Sequence, residues 1–128
     1  MAAVVHLDTH AVVFLYAEGA TGVGEASARC LERCRSVVIS PMVRLEMHYL
    51  HEIGRLVPTP SKVLEALTGP LPLSVSDPSF QQVIAAAEEE RWTRDPFDRL
   101  IVAQARLAKA PLISRDRRIH QHYEAAVW

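Results

Sequence analysis

Apolar runs of four or five residues alternate along this chain with longer stretches in which apolar positions return every three or four residues. The first run, residues 3–7, carries β-branched members and predicts a buried strand ending at Asp8-Thr9. A helix is expected over residues 10–17, glycines 19, 22 and 24 then break the chain, and a second helix is expected over residues 25–35. Residues 37–40 predict a second strand. Pro41 opens a helix with Met42, Tyr49, Leu50 and Ile53 on its apolar side, and Pro58-Thr59-Pro60 ends it. A short helix over residues 61–67 leads through Gly69-Pro70 to a third strand, 71–75, whose prolines mark it as an edge. Asp77 caps a helix over residues 79–91 whose inner face is Phe80, Val83, Ile84 and Ala87, with Glu88-Glu89-Glu90 facing solvent. Asp95-Pro96 starts another helix, and Leu100, Ile101, Val102, Ala103, Ala105, Leu107 and Ala108 leave it almost no polar face, so it is expected to be buried on more than one side. Residues 112–114 and 125–128 complete the pattern as short strands.

Strand and helix thus alternate throughout. That order predicts a three-layer α/β/α fold in which a central parallel sheet of four to five strands lies between helices joined by right-handed crossovers. At 128 residues and 49% apolar composition, a single domain spanning residues 1–128 is expected.

Composition and charge narrow the function. The net charge of −1 excludes the global basic field of a generic nucleic-acid binder. Locally, however, eight of the fourteen basic residues fall between positions 91 and 118, amid three of the aspartates. Cys30 and Cys34 share one helix face and read as small core residues, since a zinc site needs further ligands nearby. His48, His51, His120 and His122 lack a complete metal-binding pattern and are expected on helix surfaces. No charged-then-apolar leader opens the sequence and no apolar run is long enough to span a bilayer, so a cytoplasmic protein without a membrane partner is expected.

The acids carry the chemistry. Asp8 and Asp116 follow strands, Asp98 sits at the third position of a buried helix, and Glu46 lies within an apolar stripe, four after Met42 and three before Tyr49. A buried carboxylate without a partner costs several kcal/mol, so Glu46 needs a cation, a metal or a proton. Arg44 and Arg99 are the candidates for an ion pair. In a parallel sheet Asp8, Glu46, Asp98 and Asp116 can converge at one edge, and four converging carboxylates call for a multivalent cation. All-oxygen ligation suits Mg2+, with Mn2+ as a substitute, rather than zinc. Asp95 reads first as a helix cap.

Four segments then resemble the motifs of the PIN-domain ribonucleases, and within them the VapC-like toxins. These are Val5-His6-Leu7-Asp8-Thr9-His10, Ile39-Ser40-Pro41-Met42-Val43-Arg44-Leu45-Glu46, Arg94-Asp95-Pro96-Phe97-Asp98-Arg99-Leu100-Ile101-Val102-Ala103-Gln104-Ala105, and Leu112-Ile113-Ser114-Arg115-Asp116. The third is the specific one. The resemblance implies that Asp8, Glu46, Asp98 and Asp116 are the catalytic, metal-binding acids and Asp95 an auxiliary acid, while Thr9, Ser40 and Ser114 hydrogen-bond the acids. It implies an Mg2+-dependent endoribonuclease cutting single-stranded RNA or RNA loops, a homodimer, and a cognate antitoxin protein. Arg94, Arg99, Arg115 and Arg117 are the candidates for RNA phosphate contacts. The alternatives are a housekeeping PIN nuclease without an antitoxin, or a catalytically silent domain that binds RNA or a partner. An aspartate-nucleophile phosphatase wants a second aspartate two residues after Asp8, and that position is His10.

Overall fold

Along Val4–Leu7 (β1) the pleat sends Val5 and Leu7 to one face and His6 to the other, and all three are buried. Both faces of β1 are therefore covered, the mark of a central strand in a parallel sheet. A computed structural model describing residues 3–128 places β1 in the middle of five parallel strands. Ser36–Ile39 (β2) and Leu73–Val75 (β3) extend the sheet on one side, Leu112–Ile113 (β4) and Ala126–Val127 (β5) on the other, in the order β3-β2-β1-β4-β5. The chain walks outward from β1 to β3 and then returns past β1, so the strand order reverses between β1 and β4.

Parallel neighbours need crossovers, and helices supply them. Thr9–Glu18 (α1) and Glu25–Arg33 (α2) join β1 to β2; Pro41–Glu52 (α3) and Pro60–Thr68 (α4) join β2 to β3; Phe80–Glu88 (α5) and Pro96–Leu107 (α6) lead to β4; Arg117–His122 (α7) leads to β5. Helix α6 explains why its sequence has so little polar face. Ile101, Val102 and Ala105 pack into the main core with β1, β2 and β4, while Leu100 and Ala103 pack against Val83 and Ala87 of α5. Leu107, in contrast, is exposed. Cys30 and Cys34 are free and half-buried against the core.

Three expectations need correction. Helix α3 buries Val43 and Met47, whereas Tyr49 and Ile53 are about half exposed, together with Leu45. Of the stripe expected to point inward, Met42 and Leu50 pack against the core, whereas Tyr49 and Ile53 belong to a second, outward apolar face, and Glu46 lies between the two. On α5, Val83 and Ala87 are buried but Phe80 and Ile84 face outward. Glu90 is not solvated like Glu88 and Glu89. It is 3% exposed, accepts from the Trp92 indole N–H at 2.7 Å and pairs with Arg106 at 2.7 Å. A run of three glutamates conceals this, because only the packing of α6 beside it brings Arg106 within reach.

Candidate active site

The sheet's switch in strand order determines where a site can form. Where neighbouring crossovers diverge, the C-terminal strand ends open onto a crevice. Asp8 stands directly after β1, and Asp116 shortly after β4. Asp8 caps α1 by accepting from the Ala11 N–H at 2.8 Å, and Asp116 caps α7 by accepting from Arg118 and Ile119 N–H groups at 2.8 and 3.3 Å. Asp95 caps α6 through the N–H groups of Phe97 and Asp98 at 2.9 and 3.5 Å, which turns Asp98 in the first helical turn toward the same crevice. Helix α3 contributes Glu46. The result is a cleft of about 330 Å³ lined by Asp8, Thr9, His10, Phe14, Glu46, Asp95, Asp98, Ile101, Arg115 and Asp116.

Electrostatics in this cleft are those of crowded like charges. Burial pushes the Asp98 carboxyl up to about 7, and Asp95, Asp116, Glu46 and Asp8 add to the shift. Burial also raises Asp8, opposed by the Ser114 hydroxyl and the Ala11 N–H, which favour the anion. Glu46 is raised for the same reason, opposed by the Thr9 hydroxyl, which donates to its Oε1 at 2.5 Å. His10 lowers both Asp8 and Glu46 through its charge. None of the five carboxylates takes part in an ion pair among the described residues, where the acid partners are Glu25, Glu89, Glu90 and Glu124.

The donor set fits a hard divalent cation: beside the His10 imidazole it consists of carboxylate and hydroxyl oxygens, with no thiol. Asp8, Glu46, Asp98 and Asp116 are the residues that could hold one. Among the described residues no three His, Cys, Asp or Glu side chains meet closely enough to form a ready chelate, so the acids line the walls of the cleft rather than a single point.

The remaining expected residues divide. Thr9 reaches Glu46. Ser114 is fully buried beside Asp8 and accepts from the Asp116 N–H at 3.1 Å. Ser40 does not reach an acid: it caps α3 through the Met42 N–H and donates to the Gln104 side chain. Of the arginines, Arg115 lines the cleft. Arg94 and Arg99 line a separate depression, and Arg99 donates to the Ala87 and Glu88 carbonyls at 3.1 and 3.3 Å, closing the end of α5. Arg117 is exposed at the start of α7. Neither Arg44, which donates to Ser61, nor Arg99 pairs with Glu46. His10 and Phe14 are the lining residues that periodicity did not single out. Their spacing of four, starting two residues after Asp8, is the signal that could have found them.

Similarity to known proteins agrees with this fold. The chain in a toxin–antitoxin complex from Klebsiella pneumoniae superposes with a TM-score of 0.64 at 20% identity, over 97% of this chain and 96% of that one. A chain of VapBC2 from Rickettsia felis, solved bound to a DNA fragment from its promoter, gives 0.62 at 16% identity over 92% of both. Among curated proteins no sequence matches. The family model described as PIN domain matches residues 5–125, from the second residue of β1 to the edge of β5, and so takes in all four acids. With the family model covering residues 5–125 over a parallel sheet in the order β3-β2-β1-β4-β5, this chain belongs to the PIN domain family.

Proposed function

We propose that this protein is an Mg2+-dependent endoribonuclease, with Mn2+ as substitute, that cleaves single-stranded RNA or RNA loops as the toxin of a toxin–antitoxin pair. The observation that carries the reading is the gathering of Asp8, Glu46, Asp98 and Asp116 in one open cleft where, among the described residues, no cationic side chain pairs with any of them. A structural ion network would have supplied such partners, and isolated caps would not converge.

The reaction is hydrolysis of a phosphodiester by water attacking in line with the departing oxygen. When bound, a divalent cation lowers the pKa of water and neutralises charge on phosphate. The chain's own part is to hold and orient. Asp8, Glu46, Asp98 and Asp116 supply the ligand oxygens, Thr9 fixes the rotamer of Glu46, and Ser114 that of Asp8. Arg115 offers a guanidinium at the cleft, bidentate geometry being suited to phosphate.

The toxin reading is supported by solved relatives from toxin–antitoxin complexes. Two apolar surfaces are available to partners. Leu45, Tyr49 and Ile53 form an exposed stripe along α3, suited to a homodimer. A groove of about 550 Å³ between α1, α2 and α4, with Leu15, Tyr16, Leu31 and Leu71 in its walls, suits the antitoxin. No described helix is long and apolar enough to cross a membrane, and a single domain acting in the cytoplasm accords with the reading.

The test is direct. With Mg2+ the protein should cut single-stranded RNA, EDTA should abolish cutting, and zinc-selective chelators should leave it intact. Asp8→Asn and Asp98→Asn should each lose at least about a hundredfold in rate while retaining the parent's circular dichroism. Parent-like cleavage by both variants, or cleavage that survives exhaustive EDTA, overturns the assignment.

A further inference from the structure

One wall of the cleft is not acidic. Phe14 lies one helical turn beyond His10 on α1, and both face the space that the carboxylates line. The Phe14 ring is half-buried and belongs to neither apolar cluster of the fold, so it does not serve the core. It is nevertheless firmly seated. Trp128 packs edge-on against it with centroids 5.9 Å apart, and the Arg115 guanidinium carbon lies 5.9 Å from the ring centre. Two glycines permit this packing. A Cβ on Gly22 would lie 2.4 Å from the Phe14 carbonyl oxygen, and one on Gly24 would lie 2.4 Å from the Trp128 backbone and 2.8 Å from its ring. A side chain at Gly22 would press on α1 at Phe14, and one at Gly24 would press on Trp128.

We propose that Phe14, with Arg115 against it, is the base-stacking subsite for the nucleotide that flanks the scissile phosphate. This rests on the ribonuclease reading above and adds to it. A bare carboxylate wall repels RNA, so the affinity for the strand beside the cut must come from elsewhere in the cleft. An aromatic face provides it without regard to sequence, because every base has a π-face, and an adjacent guanidinium adds a contact to the neighbouring phosphate. The cleft, at about 330 Å³, lies at the small end of ligand sites and suits one splayed base rather than a base pair. The acids then act on the phosphate, and Phe14 determines where along the strand that phosphate sits.

The experiment pairs a protein change with a substrate change. After the parent's cleavage position is mapped on a short single-stranded RNA, two further oligonucleotides are made, each abasic on one side of that position. Parent, Phe14→Ala, Phe14→Leu and Phe14→Trp are then compared on all three, with melting temperature and circular dichroism checked for each protein. On intact RNA, Phe14→Ala and Phe14→Leu should lose about five- to hundredfold in kcat/KM, mainly through KM, and Phe14→Trp should retain the parent's value. Leucine preserves apolar bulk against Trp128, so a loss shared by both variants points to the ring face rather than to packing. For the parent, one of the two abasic substrates should show a comparable loss, and on that substrate the Phe14 variants should lose nothing more. If the losses multiply on both abasic substrates, the subsite is overturned while the ribonuclease reading stands. If the parent cuts no RNA, the ribonuclease reading fails and the subsite with it.

Discussion

Asp98 is where the field of the other acids concentrates, and its protonation makes that field measurable. Its carboxyl moves from an ordinary 3.8 to about 7, by burial first and then by Asp95, Asp116, Glu46 and Asp8. Between these two values the folded state keeps a proton that the unfolded chain has lost. In metal-free buffer this group therefore makes stability fall as pH rises from about 4 to about 7, with no further change above. Asp8 and Glu46, also raised, act in the same direction. His6 opposes them: burial lowers it from 6.5 to about 4, so stability gains as pH rises across that interval. The difference between parent and Asp98→Asn isolates the aspartate. In EDTA the variant should melt at an equal or higher temperature at pH 8, and the gap should close toward pH 4. Added Mg2+ should raise the parent's melting temperature more than the variant's. A variant that melts below the parent at pH 8 in EDTA would contradict the crowding argument.

At the scale of elements, the same side chains cap helices and line the cleft. Asp8, Asp95 and Asp116 begin α1, α6 and α7. A cap needs only a short acceptor, whereas a metal ligand needs charge, so substitutions should separate the two roles. Asp95→Ser should cost within about 1 kcal/mol of stability and Asp95→Ala roughly 0.5–2 kcal/mol. Asp98→Ser should change folding little and remove nearly all turnover, since the helix dipole offers Asp98 only about 0.3–1 kcal/mol. If Asp95→Ser loses as much cleavage as Asp98→Ser while both remain folded, Asp95 belongs among the ligands. The segment before α6 has its own anchor in Glu90. Arg106→Ala leaves that buried carboxylate with the Trp92 indole as its remaining partner, and urea titration should register a loss of roughly 1–3 kcal/mol. Glu90→Gln, which keeps an acceptor and removes the charge, should lose less. Equal stability of parent and Arg106→Ala would mean that the pair contributes nothing.

At the scale of the whole molecule, the homodimer proposed above would form through the outward face of α3. Leu45, Tyr49 and Ile53 are spaced by four and about half exposed, and Tyr49 stands 6.1 Å from Phe97, near the start of α6. Light scattering should give twice the 14.3 kDa chain mass, and Leu45→Glu combined with Tyr49→Glu should give the monomer with unchanged circular dichroism. A parent that elutes and scatters as a monomer at micromolar concentration removes the dimer.

What the sequence by itself determined was the set of elements, α7 excepted, and the acids at their ends. Strand and helix differ in hydrophobic period, so β1, α6 and β4 were legible as elements to within a residue or two, as was the edge position of β3. Asp8, Asp98 and Asp116 were legible because a carboxylate at the end of a buried element is conspicuous. Which side chains meet was decided only by the tertiary structure. Glu46 finds Thr9 across 37 positions, Ser40 finds Gln104 across 64, and Glu90 finds Arg106 across 16. Periodicity reports how one element is buried and nothing about which element lies opposite. For that reason Tyr49 and Ile53 of α3 read as core, Glu90 read as solvated, and Ser40 was expected at an acid. Phe14 passed as one more apolar residue of α1 because its neighbours Arg115 and Trp128 lie about a hundred residues away, brought to it by the return of the chain past β1.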